Sequence, residues 1–126
     1  MQVATLVLAG LAALVHVYIF VLESLRWEEP STRRTFGTTA ETAAVTKPLA
    51  YNQGFYNLFL AVVTAAGILV AGSQPEAATA LLAAGPGSML AAALVLFTSD
   101  PAKARAAVVQ GLFPLLSLVA LVVWRA

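Results

Sequence analysis

The 126-residue chain contains no cysteine. Disulfides, iron–sulfur clusters and thiol catalysis are therefore excluded, although the absence says nothing about redox compartment. It contains one histidine, and a single imidazole with scattered carboxylates lacks the spacing of a zinc site, so no metal is expected. One His can be a haem axial ligand, but no second ligand or attachment motif accompanies it, and no cofactor is expected. Charge is scarce: Asp, Glu, Lys and Arg make up 10% of the residues and the formal net charge is +1, which leaves no electrostatic case for nucleic acid. No Lys or Arg precedes the first apolar run and no small-residue cleavage pattern follows it, so residues 1–15 read as retained rather than as a signal peptide. Internal repeats and low-complexity tracts are missing too.

What is present is apolar surface. Hydrophobic residues make up 60% of the chain, against about 45–50% in a soluble domain. This composition indicates an integral membrane protein, and the length allows one compact domain. Crossing a ~30 Å hydrocarbon layer takes about 20 helical residues, and four segments qualify, near 3–26, 50–72, 76–98 and 102–124. The expected fold is all-α, a four-helix bundle of a multi-pass membrane protein.

The only long connection, from Trp27 to about Lys47, is polar. Thr38 followed by Glu41 fits a capping box and predicts a short surface helix there. Pro48 suits the first turn of the second span, where no amide bond is lost. Gly72 can end that span and Ser73 or Pro75 start the next. Asp100 and Pro101 suit an N-cap and first helical position for the last span. Arg26, Arg33, Arg34 and Lys47 flank the first connection and Lys103 and Arg105 the third, whereas the other side has only Arg125. The positive-inside rule then puts both connections in the cytoplasm and both termini on the non-cytoplasmic side. In the third span, Gly85, Pro86, Gly87 and Ser88 lie near the middle, predicting close packing and a kink at Pro86.

The stretch L-A-A-L-V-H-V-Y-I-F-V-L-E-S-L-R-W at 11–27 carries the chemistry. At 3.6 residues per turn, His16, Phe20, Glu23 and Trp27 share one face. A central acid in a span costs roughly 2.5–3.5 kcal/mol on insertion scales, so such a face turns toward a bundle interior or a wet cavity. In the second span Gln53, Asn57, Leu60 and Thr64 form a stripe, and in the fourth Gln110, Pro114 and Ser117 do the same. The strong hydrogen-bonding groups thus gather in the cytoplasmic half of the spans.

The strings H-V-Y-I-F-V-L-E-S-L-R-W at 16–27, F-G at 36–37, N-Q-G-F-Y-N-L-F-L-A at 52–61 and Q-G at 110–111 resemble the small four-span bacterial membrane proteins of the domain-of-unknown-function family numbered thirteen hundred and four. The resemblance covers nearly the whole chain. It implies a four-helix protein of a bacterial inner membrane and brings no established activity; the third span carries no part of it.

Each polar residue has a plainer explanation. His16, Asn57 and Gln110 can tie helices together, Glu23 can pair with Arg26, and Trp27, Tyr51 and Tyr56 can be interface aromatics. Their coincidence in one half of the membrane favours a shared pocket that binds a lipid-like or apolar small molecule. Glu23 and His16 would exchange protons in an acid–base isomerisation or cyclisation. Asn57, Gln53 and Gln110 would orient a polar group, and Phe20, Trp27, Tyr56 and Phe59 would shape the apolar part. Two alternatives stand beside this: a subunit of a proton-coupled transporter acting as a homo-oligomer, and an accessory subunit without chemistry that docks through its small-residue third span.

Overall fold

In hydrocarbon a single segment can satisfy its backbone only as a helix, and the apolar segments do so. The computed structural model describes residues 2–125. Helix α1 spans Val3–Phe20 and runs directly into a π-helical turn, Val21–Leu25. A short helix α2, Pro30–Phe36, follows, then the long α3, Ala40–Val70, and α4, Pro75–Ser99. Helix α5 comprises a 3-10 turn, Pro101–Lys103, and Ala104–Arg125. The described residues contain no strand. Val3–Leu25, Ala40–Val70, Pro75–Ser99 and Pro101–Arg125 are each long and apolar enough to cross a membrane.

The four long helices form a ring in which α1 packs on α3 and α5, α4 packs on the same two, and α1 and α4 face each other across the diagonal. The interior is built largely from small residues: Ala9, Ala12, Ala61, Ala78, Ala93 and Ala107 are buried, with Leu82 and Met89 the largest wholly buried apolar side chains. The big aliphatic residues point outward, among them Leu14, Leu69, Val95 and Val122. This inversion of the soluble pattern suits lipid, where close backbone approach drives helix association. Gly85 shows how close the approach is: a Cβ there would collide with the Thr64 hydroxyl of α3 and stand 3.3 Å from its backbone nitrogen. Helix α4 continues through Pro86, which is buried.

Several local expectations are corrected. Helix α3 starts at Ala40, well before residue 50, and its cap is Thr39 rather than Thr38: the Thr39 hydroxyl accepts from the Thr42 amide at 3.1 Å. Pro48 consequently lies inside α3 rather than at its start. With 31 residues, α3 is about 46 Å long, which exceeds the hydrocarbon thickness. The short helix of the first connection is α2, opened by Pro30 at its first turn and closed by Gly37 in the left-handed conformation, φ 67°. Between α3 and α4, Ala71 is the C-cap and Gly72 follows it without the left-handed conformation of a glycine cap, while Gln74 is the N-cap and Pro75 the first residue of α4. Asp100 does sit at the N-cap position with Pro101 next, but its carboxylate makes no capping bond and faces Lys103 at 3.8 Å.

Candidate functional site

The α-helical winding of α1 gives way to a π-turn at Val21–Leu25, a device common at functional sites because it re-aims side chains without ending the helix. This turn packs on α3. Glu23 Oε1 accepts a hydrogen bond from Asn57 Nδ2 at 2.6 Å, and the same Nδ2 also donates to the Gln53 carbonyl at 3.2 Å. The next residue fixes the turn in place: the Ser24 hydroxyl donates to the Tyr51 carbonyl at 2.7 Å. Gly54 makes the approach feasible, since a Cβ there would overlap the Ser24 hydroxyl and lie 3.0 Å from the Ser24 amide nitrogen. Phe20 meets Phe55 edge-on with centroids 5.0 Å apart, and Phe55 also contacts Tyr51 and Phe59.

The structure thus brings Glu23 and Asn57 into direct contact, with Gln53 contributing a backbone carbonyl while the residue itself is exposed. His16 is 2% exposed and faces the bundle interior on the stripe Thr5, Ala9, Ala12, His16, Ile19. Its Nδ1 donates to the Ala12 carbonyl of its own helix at 2.9 Å. Trp27 donates from Nε1 to the Thr46 hydroxyl at 3.2 Å and packs on Phe36 of α2 at 5.2 Å. Tyr56 is 58% exposed on α3. Gln110 lies elsewhere, on the α5 flank of α1.

That flank holds a half-open groove of about 850 Å³ between α1 and α5, bordered by α2. Val15, Ile19, Leu22 and Val109 form its apolar wall, with Tyr18 and Gln110 adding polar tips. Ser31, Arg34 and Thr35 of α2 and Asp100, Lys103 and Arg105 at the start of α5 form its rim. Charge divides unevenly around this end of the bundle. Away from the groove rim, cations and acids balance in number, Arg26, Arg33 and Lys47 against Glu28, Glu29 and Glu41: Arg26 meets Glu29 at 3.6 Å and Lys47 meets Glu28 at 2.9 Å, while Arg33 forms no ion pair among the described residues and donates from Nε to the Glu28 backbone carbonyl at 3.2 Å. At the groove three cations face one acid, and Arg34 and Arg105 form no ion pair among the described residues. No three His, Asp or Glu side chains among the described residues gather closely enough to hold a metal ion.

A family sequence pattern described as "Protein of unknown function (DUF1304)" matches residues 10–122. The chain belongs to this family. The match runs from the first half of α1 into the last turn of α5, so the matched residues include most of the helical ring, both partners of the Glu23–Asn57 contact and the residues lining the groove. No curated protein and no solved structure matches the chain.

Ser24 and Phe55 support the site yet have no individual role in the sequence reading, and Tyr51, read there as an interface aromatic, contributes its backbone carbonyl to the Ser24 bond. Ser24 had a usable signal, since it follows an intramembrane acid. Arg34, Lys103 and Arg105 serve in the sequence only as markers of orientation; that they border one groove follows from α2, which contacts α3, turning residues toward the space beside α1 and α5, which no periodicity encodes.

Proposed function

We propose that this protein holds a lipid-like amphiphile in the groove between α1, α2 and α5. The observation that carries this reading is the grading of the groove, apolar along Val15, Ile19, Leu22 and Val109 and cationic at Arg34, Lys103 and Arg105. Its volume of about 850 Å³ falls within the roughly 300–1,000 Å³ of small-molecule sites. The positive-inside rule supports a cytoplasmic location for the α2 end, with both termini outside. The test is photolabelling in liposomes with a phospholipid carrying a reactive group on its tail. Adducts are expected to concentrate on residues 15–22 and 102–110 and to disappear from them in Ala106→Trp, which fills the groove. Labelling spread evenly over the outer faces of all four long helices would refute the reading.

A second reading adds chemistry at Glu23, as acid–base isomerisation or cyclisation of the bound molecule or as proton-coupled transport. It is favoured by one observation, a carboxylate set by a π-turn against an amide at 2.6 Å. His16 is the second titratable group of this reading: its Nε2 is not engaged in the bond to Ala12, and because the two side chains face different neighbours, exchange with Glu23 runs through the bound molecule. Proteoliposomes loaded with a pH-sensitive dye test the transport form: proton flux is expected from the wild type and not from Glu23→Gln. Equal flux from both, or from neither, refutes it.

A further inference from the structure

Resting on the amphiphile reading, we propose that the occupant of the groove is an anionic phospholipid whose phosphate is bound by Arg34 and Arg105. Both side chains border the groove and neither is neutralised by an ion pair among the described residues, whereas Arg26 and Lys47 at the same end of the bundle are. If the basic residues served only to orient the chain, pairing them with acids would be immaterial, because that rule counts Lys and Arg rather than net charge. The acids are nevertheless distributed so that the groove retains the excess: Glu28 and Glu29 face Lys47 and Arg26, and only Asp100 is at the rim, engaged with Lys103. Arginine is the side chain best shaped for phosphate, offering two parallel N–H donors. The two arginines reach the rim from different elements, α2 and α5, and the apolar wall leads from there along the spans. A phosphate at the rim and an acyl chain along Ile19, Leu22 and Val109 satisfy both halves with one molecule.

The absence of cysteine allows single-site labelling. An environment-sensitive fluorophore is attached at Val109→Cys in the groove and, separately, at Leu94→Cys, which is exposed on α4, diagonal to α1. The full chain is placed in phosphatidylcholine nanodiscs containing tail-brominated phosphatidylglycerol, with tail-brominated phosphatidylcholine as the matched zwitterionic lipid. Basic residues near a membrane surface attract anionic lipid by about fivefold each, so the Val109 label should report a preference of roughly 25-fold for phosphatidylglycerol and the Leu94 label little. The preference should shrink at high salt and collapse in Arg34→Gln/Arg105→Gln, while quenching by brominated phosphatidylcholine persists. Equal quenching by both lipids at Val109 but not at Leu94 would overturn the phosphate assignment and leave the amphiphile reading standing. Indistinguishable behaviour of the two labels would remove both. Persistence of the preference in the double variant would overturn the assignment to these arginines, and displacement by inorganic phosphate as effectively as by phosphatidylglycerol would overturn the need for a tail. Both arginines are exposed, so the double variant is expected to fold, and circular dichroism of the same samples verifies it.

Discussion

Replacing Gly54 by alanine tests the contact between the π-turn and α3 against a built-in control. In an unconstrained helix, Gly→Ala is worth about 1 kcal/mol of stabilisation. At Gly87 in α4 nothing lies within 4 Å of the new Cβ, so Gly87→Ala should realise most of that gain. At Gly54 the same methyl collides with the Ser24 hydroxyl and stands 3.0 Å from both the Ser24 Cβ and its amide nitrogen. Backbone cannot rotate away, so the turn must shift. Overpacking of this kind costs about 1–3 kcal/mol, and losing the Ser24–Tyr51 bond adds about 0.5–1.5 kcal/mol. Because both variants share the propensity gain, their difference isolates the contact, and Gly54→Ala should be less stable than Gly87→Ala by about 1.5–4.5 kcal/mol. Reversible unfolding in mixed micelles, titrated with denaturing detergent, measures that difference. Finding Gly54→Ala equal to or more stable than Gly87→Ala would refute the reasoning.

Other perturbations follow from the same geometry. Glu23→Gln keeps an acceptor for Asn57 and should unfold near the wild-type midpoint, whereas Glu23→Leu leaves the Asn57 amide without it and should lose about 1–3 kcal/mol; a micelle titration that ranks them equal removes the weight placed on the 2.6 Å bond. Gly37→Ala forces a side chain into the left-handed region at φ 67°, at a cost of about 1–2 kcal/mol, and should raise hydrogen exchange in 30–36 without changing α4. Trp27→Phe retains the stacking on Phe36 but loses the bond to Thr46, which predicts a drop of about 0.5–1.5 kcal/mol, read in the same titration. Asp100→Asn frees Lys103 from its 3.8 Å contact and should strengthen phosphatidylglycerol binding by the nanodisc assay; weaker binding would contradict the charge account.

The four spans were legible because stretches of about twenty predominantly apolar residues leave few alternatives. Which way each helix faces was harder to read. In a water-soluble helix large apolar residues mark the inward face, but here lipid and core are both apolar, and the buried stripe of α1 is Thr5, Ala9, Ala12, His16 and Ile19, mostly small. Assuming regular winding from His16 to Glu23 put both on one line with Phe20 and Trp27. The π-turn breaks that phase, so His16 faces the ring centre and its own helix while Glu23 meets α3. The proximity of Glu23 and Asn57 was visible in the two stripes because antiparallel neighbours bring the end of one span to the start of the next. The α3 start was misplaced because Pro48 reads as a beginning, whereas Thr39 supplies the stronger local stop for the preceding loop. The groove was not legible at all: it depends on α2, whose seven residues carry too little periodicity to say where they lie.

The π-turn also acts as a length gauge. A π-turn accommodates one more residue than the α-helical turn it replaces, so shortening the chain by Val21 would let α1 continue in ordinary winding through Leu25. Residues beyond the excision would keep roughly the bearing they now have, because the wide turn already absorbs the surplus residue, whereas the same deletion in the regularly wound part of α1 would swing them about a quarter of the way round the helix axis and carry the carboxylate off the amide it now touches. Losing Val21 and losing Ala13 therefore leave the hydropathy of the span essentially the same yet present different faces to α3, so where the chain is shortened matters as much as which side chain is removed.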